Sequence, residues 1–269
     1  MPRALVTGGA GFIGSHTVVE LLTSGWSVVV IDDHSNSRPE ALTRAAELGG
    51  GEVDAVVGDL RDAAALDEAF GLAPVDAVVH FAGLKAVGES VAEPLRYWDV
   101  NVGGAVSLLH AMTRHGVRDL VFSSSCTVYG EPEHVPLTED HPLGAMSPYG
   151  RTKQVIEQLI TDVGDSEPGW RALSLRYFNP VGAHPSGDLG ENPLGVPLNL
   201  MPYVMGAVAG RYPTLRVFGT DYDTPDGTCI RDYIHVVDLA VGHVQALAAL
   251  PSVEGHRAVN LGTGTGSSV

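Results

Sequence analysis

Three observations predict an α/β protein built on a doubly wound parallel sheet. Short apolar, β-rich runs alternate with helical stretches along most of the chain, as in a parallel sheet covered on both faces. The first run leads into a glycine-rich turn and a helix, Thr7-Gly8-Gly9-Ala10-Gly11-Phe12-Ile13-Gly14. Several runs also end on a polar or glycine residue, as strands do when their carboxyl ends build a site.

In chain order, strands are expected at Ala4–Thr7, Ser27–Ile31, Asp54–Val57, Ala77–Phe81, Leu120–Ser123 and Ala172–Leu175. Helices are expected over Ile13–Ser24, Leu95–His115, Pro148–Asp162 and Val236–Leu250. Between Phe178 and Ile230 the alternation dissolves into Gly, Pro and Asn, and long irregular segments inside a compact protein are usually functional loops. Residues 1–177 plus 232–262 are therefore read as the sheet domain. Residues 178–231 are read as a smaller lobe that closes over a substrate.

Composition removes whole classes of function. A chain of 269 residues, 44% hydrophobic, can bury one large core or a core with a lobed extension. No apolar run approaches the ~20 residues of a membrane span. The start, Met1-Pro2-Arg3-Ala4, leaves no room for a signal peptide before the first strand. Cys126 and Cys229 form neither a ligand cluster nor a disulfide framework, so a cytoplasmic protein is expected. A net charge of −16 argues against a nucleic-acid partner. It also requires any anionic ligand to be held by a few placed arginines and backbone donors. None of the eleven histidines has metal-ligand spacing backed by further ligands, and no metal is expected. His16, His80, His110 and His243 are read as packed or surface groups, and His184 and His235 as structural hydrogen-bonding groups.

Gly8, Gly11 and Gly14 let the backbone approach a pyrophosphate, and the helix that follows presents free N–H groups to it. Asp32 and Asp33 close the second strand, where a carboxylate accepts hydrogen bonds from ribose hydroxyls and repels a 2′-phosphate. NAD is thus expected rather than NADP. Arg38 is the one nearby residue that could favour NADP, and a surface-loop role is expected for it. Downstream, Tyr149 and Lys153 stand at i and i+4, on one helix face. A phenol with pKa ~10 is a poor base at neutral pH, and a nearby ammonium favours its phenolate.

With this pair in place the chain resembles the extended short-chain dehydrogenase/reductases, whose sheet domain is an NAD-binding Rossmann fold. Within that family it is similar to the UDP-glucose 4-epimerases. The resemblance is carried by His80-Phe81-Ala82-Gly83-Leu84-Lys85-Ala86-Val87-Gly88-Glu89-Ser90, by Ser123-Ser124-Ser125-Cys126-Thr127-Val128-Tyr129 and by Arg176-Tyr177-Phe178-Asn179-Pro180. Asn199-Leu200-Met201-Pro202-Tyr203 and Arg231-Asp232-Tyr233-Ile234-His235 extend it towards the last residues.

The resemblance implies interconversion of UDP-galactose and UDP-glucose through a 4-keto sugar, with NAD tightly bound and regenerated in each turnover. Tyr149 is the expected base for the sugar 4-hydroxyl. Ser125 is expected to hydrogen-bond that oxygen, and Lys153 to lower the Tyr149 pKa and bind the nicotinamide ribose. Bringing the phenol near neutrality takes roughly 4 kcal/mol of charge stabilisation. Phe12, Ile13, Asp32, Asp33, His34, Ser35, Asn36, Ser37, Asp59, Leu60, Phe81, Ala82, Gly83, Leu84, Lys85, Tyr177 and Phe178 are expected around the cofactor. Lys85, Tyr177, Asn179, Asn199, Leu200, Arg216, Val217, Phe218 and Arg231 are expected around the UDP-sugar. A homodimer through Leu95–His115 and Pro148–Asp162 is the family's arrangement.

Some positions depart from the family pattern. Val100 stands in place of an asparagine and is left off the expected site. Cys126 is read as a packing group, and with Thr127 it replaces the Asp-Glu pair that a 4,6-dehydratase needs, disfavouring that activity. Asp59 has an alternative reading as a helix cap, and Arg231 as an ion-pair partner of Asp232 or Asp238. Family members continue beyond Val269, so an incomplete substrate lobe, weakened UDP-sugar binding and an exposed apolar surface are expected. A cofactor binder with impaired turnover is the competing reading.

Overall fold

The computed structural model describes all residues except Val196, Leu198, Arg216 and Phe218. The chain folds in the order β1 (Arg3–Thr7), α1 (Phe12–Thr23), β2 (Ser27–Asp32), α2 (Glu40–Gly49), β3 (Val53–Val57), α3 (Ala63–Gly71) and β4 (Ala77–His80). It continues through α4 (Val87–Ala92), α5 (Pro94–Tyr97), α6 (Gly104–His115), β5 (Asp119–Ser125), α7 (Pro148–Ser166) and β6 (Arg171–Tyr177). Last come β7 (Asn179–Val181), α8 (Leu200–Val208), β8 (Ile230–His235), α9 (Val236–Ala249), β9 (Gly255–Leu261) and β10 (Gly266–Ser268).

Seven strands form one parallel sheet in the order β3-β2-β1-β4-β5-β6-β9. Ala4, Leu5 and Val6 of β1 are wholly buried, as the continuous apolar run requires of a strand covered on both faces. One apolar layer lies under α1, α2 and α9, and a second under α3, α6 and α7. The chain reverses direction across the sheet between β1 and β4, which opens a crevice at their carboxyl ends. The Thr7 hydroxyl and His80 Nδ1, 2.7 Å apart, join the two strands at its floor. A second, three-stranded sheet, β10-β8-β7, sits beside the α9 end.

The expected helix Leu95–His115 is interrupted. A π-helical turn at Trp98–Gly103 separates α5 from α6. It turns buried Asn101 inward, where its amide accepts from Leu84 N at 2.7 Å and donates to the Leu84 carbonyl and the Thr152 hydroxyl. Those bonds to the loop after β4 hold the wider, underwound turn in place. The irregular segment after Phe178 contains β7 and α8, and the last residues form β10 against β8. Asp232 makes that reversal by accepting from the N–H groups of Thr263 and Gly264 at 3.0 and 2.8 Å. Among the described residues no helix is long and apolar enough to cross a membrane.

Candidate active site

A cleft of about 1050 Å³ runs along the carboxyl ends of β1, β2, β4, β5 and β6. Its glycine end is built so that only glycine fits. A Cβ on Gly14 would lie 2.3 Å from the Gly8 carbonyl oxygen. Gly8 has φ +69° and approaches the backbone of Ala82 so closely that a Cβ would sit 2.7 Å from its nitrogen. Gly11 caps α1 without any side-chain bond to the first turn, so the N–H groups there face the cleft without a side-chain acceptor. Such a cradle suits the pyrophosphate of a dinucleotide.

Asp32 lines the cleft but is only 8% exposed and already accepts three bonds. Its donors are Ala10 N, His34 N and Ser37 Oγ, at 2.9, 2.9 and 2.8 Å. It therefore ties the glycine turn to the β2 loop, and its remaining lone pairs are what a ribose could use. His34 takes φ 55° and bonds to Ser37, and its side chain faces this loop rather than the cleft wall. Asp59 lines the cleft, held well below the usual carboxylate range by its hydrogen bond from Arg61. It caps no helix: Asp62 does, accepting from Ala64 N at 2.9 Å.

At the opposite end α7 begins at Ser147, whose hydroxyl accepts from Gly150 N at 3.1 Å, with Pro148 in the first turn. This start sets Tyr149 and Lys153 on the buried face, 8% and 5% exposed, and both line the cleft. Lys153 Nζ donates to the Ser123 carbonyl at 2.8 Å and lies 5.9 Å from the Tyr149 ring centre. Burial pushes the Tyr149 phenol far above its ordinary value, the neighbouring Tyr177 adds to that, and a hydrogen bond with Ser125 opposes it. In the protein alone, desolvation outweighs any lowering of Tyr149 by Lys153. Burial also brings Lys153 itself down to about 8, against the pull of Glu157.

Three consecutive serines at the end of β5 do different work, because successive side chains of a strand alternate. The Ser123 hydroxyl is 2.6 Å from Tyr177 OH, and Ser124 donates to Glu157 at 2.5 Å. Ser125 Oγ accepts from Thr127 N and Thr127 Oγ1 at 3.2 and 3.0 Å, which leaves its own proton for the bond with Tyr149. Cys126 is half-buried and its thiol is pushed up to about 11 by burial, so it is no nucleophile here.

Of the remaining expected residues, Phe12, Ile13, Asp33, Ser35, Asn36, Ser37, Leu60, Phe81, Ala82, Gly83, Leu84, Lys85, Tyr177 and Asn199 also line the cleft. Phe178, Asn179, Leu200, Val217 and Arg231 do not; Phe178 packs over Gly262, and Arg231 stands exposed on β8 without pairing to Asp232. Arg216 and Phe218 lie outside the described residues. The cleft also takes in Val100, Arg38, Arg44, Glu191 and Arg211, which sequence reasoning left out. Arg38 thus borders the cleft rather than standing apart from it. Only the irregularity of the segment after β7 pointed towards Glu191.

The comparisons with known proteins bear on what the cleft serves. The profile of the NAD dependent epimerase/dehydratase family matches residues 4–262. The chain belongs to that family. Among curated members it is 56% identical to the UDP-glucose 4-epimerase of Bacillus subtilis over 265 residues, covering 98% of this chain and 78% of that protein. It is 55% identical to the mouse UDP-glucose 4-epimerase over 276 residues, covering 100% of this chain and 80% of that one. The crystal structure of the Bifidobacterium longum UDP-glucose 4-epimerase with NAD+ and UDP superposes with a TM-score of 0.96 at 50% identity, over 99% of this chain and 79% of that one. That structure thus shares this chain's fold over almost its whole length.

Proposed function

We propose that this family member is a UDP-glucose 4-epimerase that interconverts UDP-galactose and UDP-glucose with NAD held in the cleft. One observation carries the reading: the glycine cradle and the Tyr149/Lys153 pair line one continuous cleft. The curated relatives that match almost the whole chain support it. Bound NAD supplies a nicotinamide that accepts the sugar C4 hydride and returns it to the other face.

The Gly8–Gly14 turn and the first N–H groups of α1 would hold the pyrophosphate, and Asp32 a ribose. Tyr149 moves the proton of the sugar 4-oxygen. Its burial holds the phenol neutral in the protein alone, so the base form depends on cationic charge close to it. Lys153, fixed on the Ser123 carbonyl, is placed to contribute part of that charge and to bond a ribose hydroxyl. Ser125, which accepts from Thr127 and hydrogen-bonds Tyr149, is read as donating to Tyr149 or to the 4-oxygen. Asn179, Asn199, Leu200, Val217 and Arg231 are read as the UDP side of the site, with residues 178–231 as the substrate lobe. The same reading makes the protein a cytoplasmic homodimer, in keeping with unpaired Cys126 and Cys229 and with exposed Val91 and Leu95 on α4 and α5.

The test is conversion of UDP-galactose to UDP-glucose by purified protein with no NAD added. Conversion, with NAD recovered on denaturation, is the expected result. Protein that neither carries NAD nor converts the sugar when NAD is supplied overturns the reading.

A further inference from the structure

After β7 the chain crosses back over the cleft, and residues 188–194 are fastened there at three points. Arg44 of α2 donates to the Asp188 carbonyl at 2.8 Å. Asn36 Oδ1 accepts from Leu194 N at 3.2 Å. Between them Lys85 Nζ donates to Glu191 Oε1 at 3.0 Å. Leu189 is 4% exposed and packs into the apolar layer under α1, so the segment is also anchored from below.

Glu191 differs from the other two fastenings. The oxygen that takes Lys85 also accepts from Asn199 Nδ2 at 2.8 Å, and only 11% of its side chain is exposed. Lys85 follows β4 in the sheet domain, whereas Asn199 is the N-cap of α8. The Asn199 side chain makes no cap bond to that helix, because its amide is turned to Glu191. A carboxylate lining an anion-binding cleft, in a chain of net charge −16, opposes ligand binding by charge alone. Its bonds give it a different task.

We propose that Glu191 is a positioning residue: one carboxylate oxygen joins Lys85 to Asn199 and holds residues 188–194 as a strap that limits escape of the dinucleotide. The proposal rests on the reading that a dinucleotide occupies the cleft. Release then requires the strap to lift, so its rate follows the population of the lifted state. Lys85 and Asn199 are also expected to meet the UDP-sugar, so Glu191 sets their positions for substrate as well.

The experiment loads the full chain with NAD, adds excess isotope-labelled NAD, and follows exchange by mass spectrometry of the denatured protein. Parent, Glu191→Ala, Glu191→Gln and Arg44→Ala are compared. Removing a charge-assisted pair and its second hydrogen bond should speed exchange about tenfold in Glu191→Ala. Glu191→Gln keeps the shape and the Asn199 bond and should fall between it and the parent. Arg44→Ala touches neither Lys85 nor Asn199, and should speed exchange about threefold. In the Glu191 variants KM for UDP-galactose should rise more than kcat falls, a split that general loosening would not give. Exchange within twofold of the parent in both Glu191 variants overturns the strap while leaving the epimerase reading intact. A parent that never holds NAD overturns the functional reading, and the strap with it.

Discussion

The buried ion pair behind α7 allows a prediction with a worked magnitude. Glu157 stands one turn after Lys153 and is 4% exposed; Arg176 of β6 is 5% exposed. The guanidinium binds both carboxylate oxygens, with Nη2 at 2.6 Å and Nε at 3.0 and 3.2 Å. Ser124 donates to the same carboxylate, and Arg176 Nη1 donates to Tyr129 OH at 3.0 Å. Tyr129 in turn donates to Asn260 of β9 at 2.6 Å, so the pair ties α7, β5, β6 and β9 together. Glu157→Gln keeps the shape and one acceptor but strands the buried guanidinium. Removing one partner of such a pair costs about 3–5 kcal/mol, and the retained amide oxygen sets the expectation at about 3 kcal/mol. For a chain of this size that is roughly 6 °C in Tm. Glu157→Met combined with Arg176→Met removes both charges and should melt above either single variant. Calorimetric melts of the four proteins form the cycle. A Glu157→Gln shift below about 2 °C, or single effects that simply add in the double variant, refutes the claim that these charges depend on each other. Glu157 is also what opposes the burial effect at Lys153, so in Glu157→Gln the Lys153 pKa should move below about 8. The pH profile of kcat/KM would show its limb displaced to lower pH.

Tyr149→Phe should cut kcat by about 10³-fold while leaving NAD bound, as expected when a positioned proton-transfer group is lost; equal turnover by the variant would remove Tyr149 from the chemistry. Gly14→Ala places a Cβ 2.3 Å from the Gly8 carbonyl, so the protein should purify without NAD, measured by absorbance of the denatured supernatant. Lys153 supplies a stability-versus-pH test. Its value of about 8 lies below the ordinary 10.5, so between those limits the unfolded chain binds the extra proton and stability rises with pH. Relative to Lys153→Met, the parent should gain roughly 3 kcal/mol between pH 8 and 10.5 and show no further change on going below pH 8. A constant difference across that window would mean that the ammonium is not desolvated.

Where a residue's neighbours lie close in sequence, its task could be read early. Gly8, Gly11 and Gly14 are placed by the strand–turn–helix around them, and Tyr149 and Lys153 by helical spacing alone. Most strands were legible for the same reason, since β1, β2, β4 and β5 are apolar runs buried on both faces. What sequence reasoning missed depends on partners far along the chain. The π turn at Trp98–Gly103 exists because Asn101 reaches Leu84 and Thr152, and no local pattern announces that. Glu191 reads as a solvated acid until the fold brings Lys85, 106 positions away, to its carboxylate.

The same distinction bears on the Tyr149 pKa. From spacing, an ammonium near a phenol should lower it. The fold puts both groups out of water, and burial raises the phenol while it lowers the ammonium. Two neutralising tendencies in one dry site leave Tyr149 protonated and Lys153 still mostly charged near neutral pH, with its pKa brought down to about 8. A site in that state has little base strength of its own. On the proposed function, activation would draw on cationic charge from bound NAD together with Lys153. On that reading the base would form when the group that accepts and returns the sugar's hydrogen is in place.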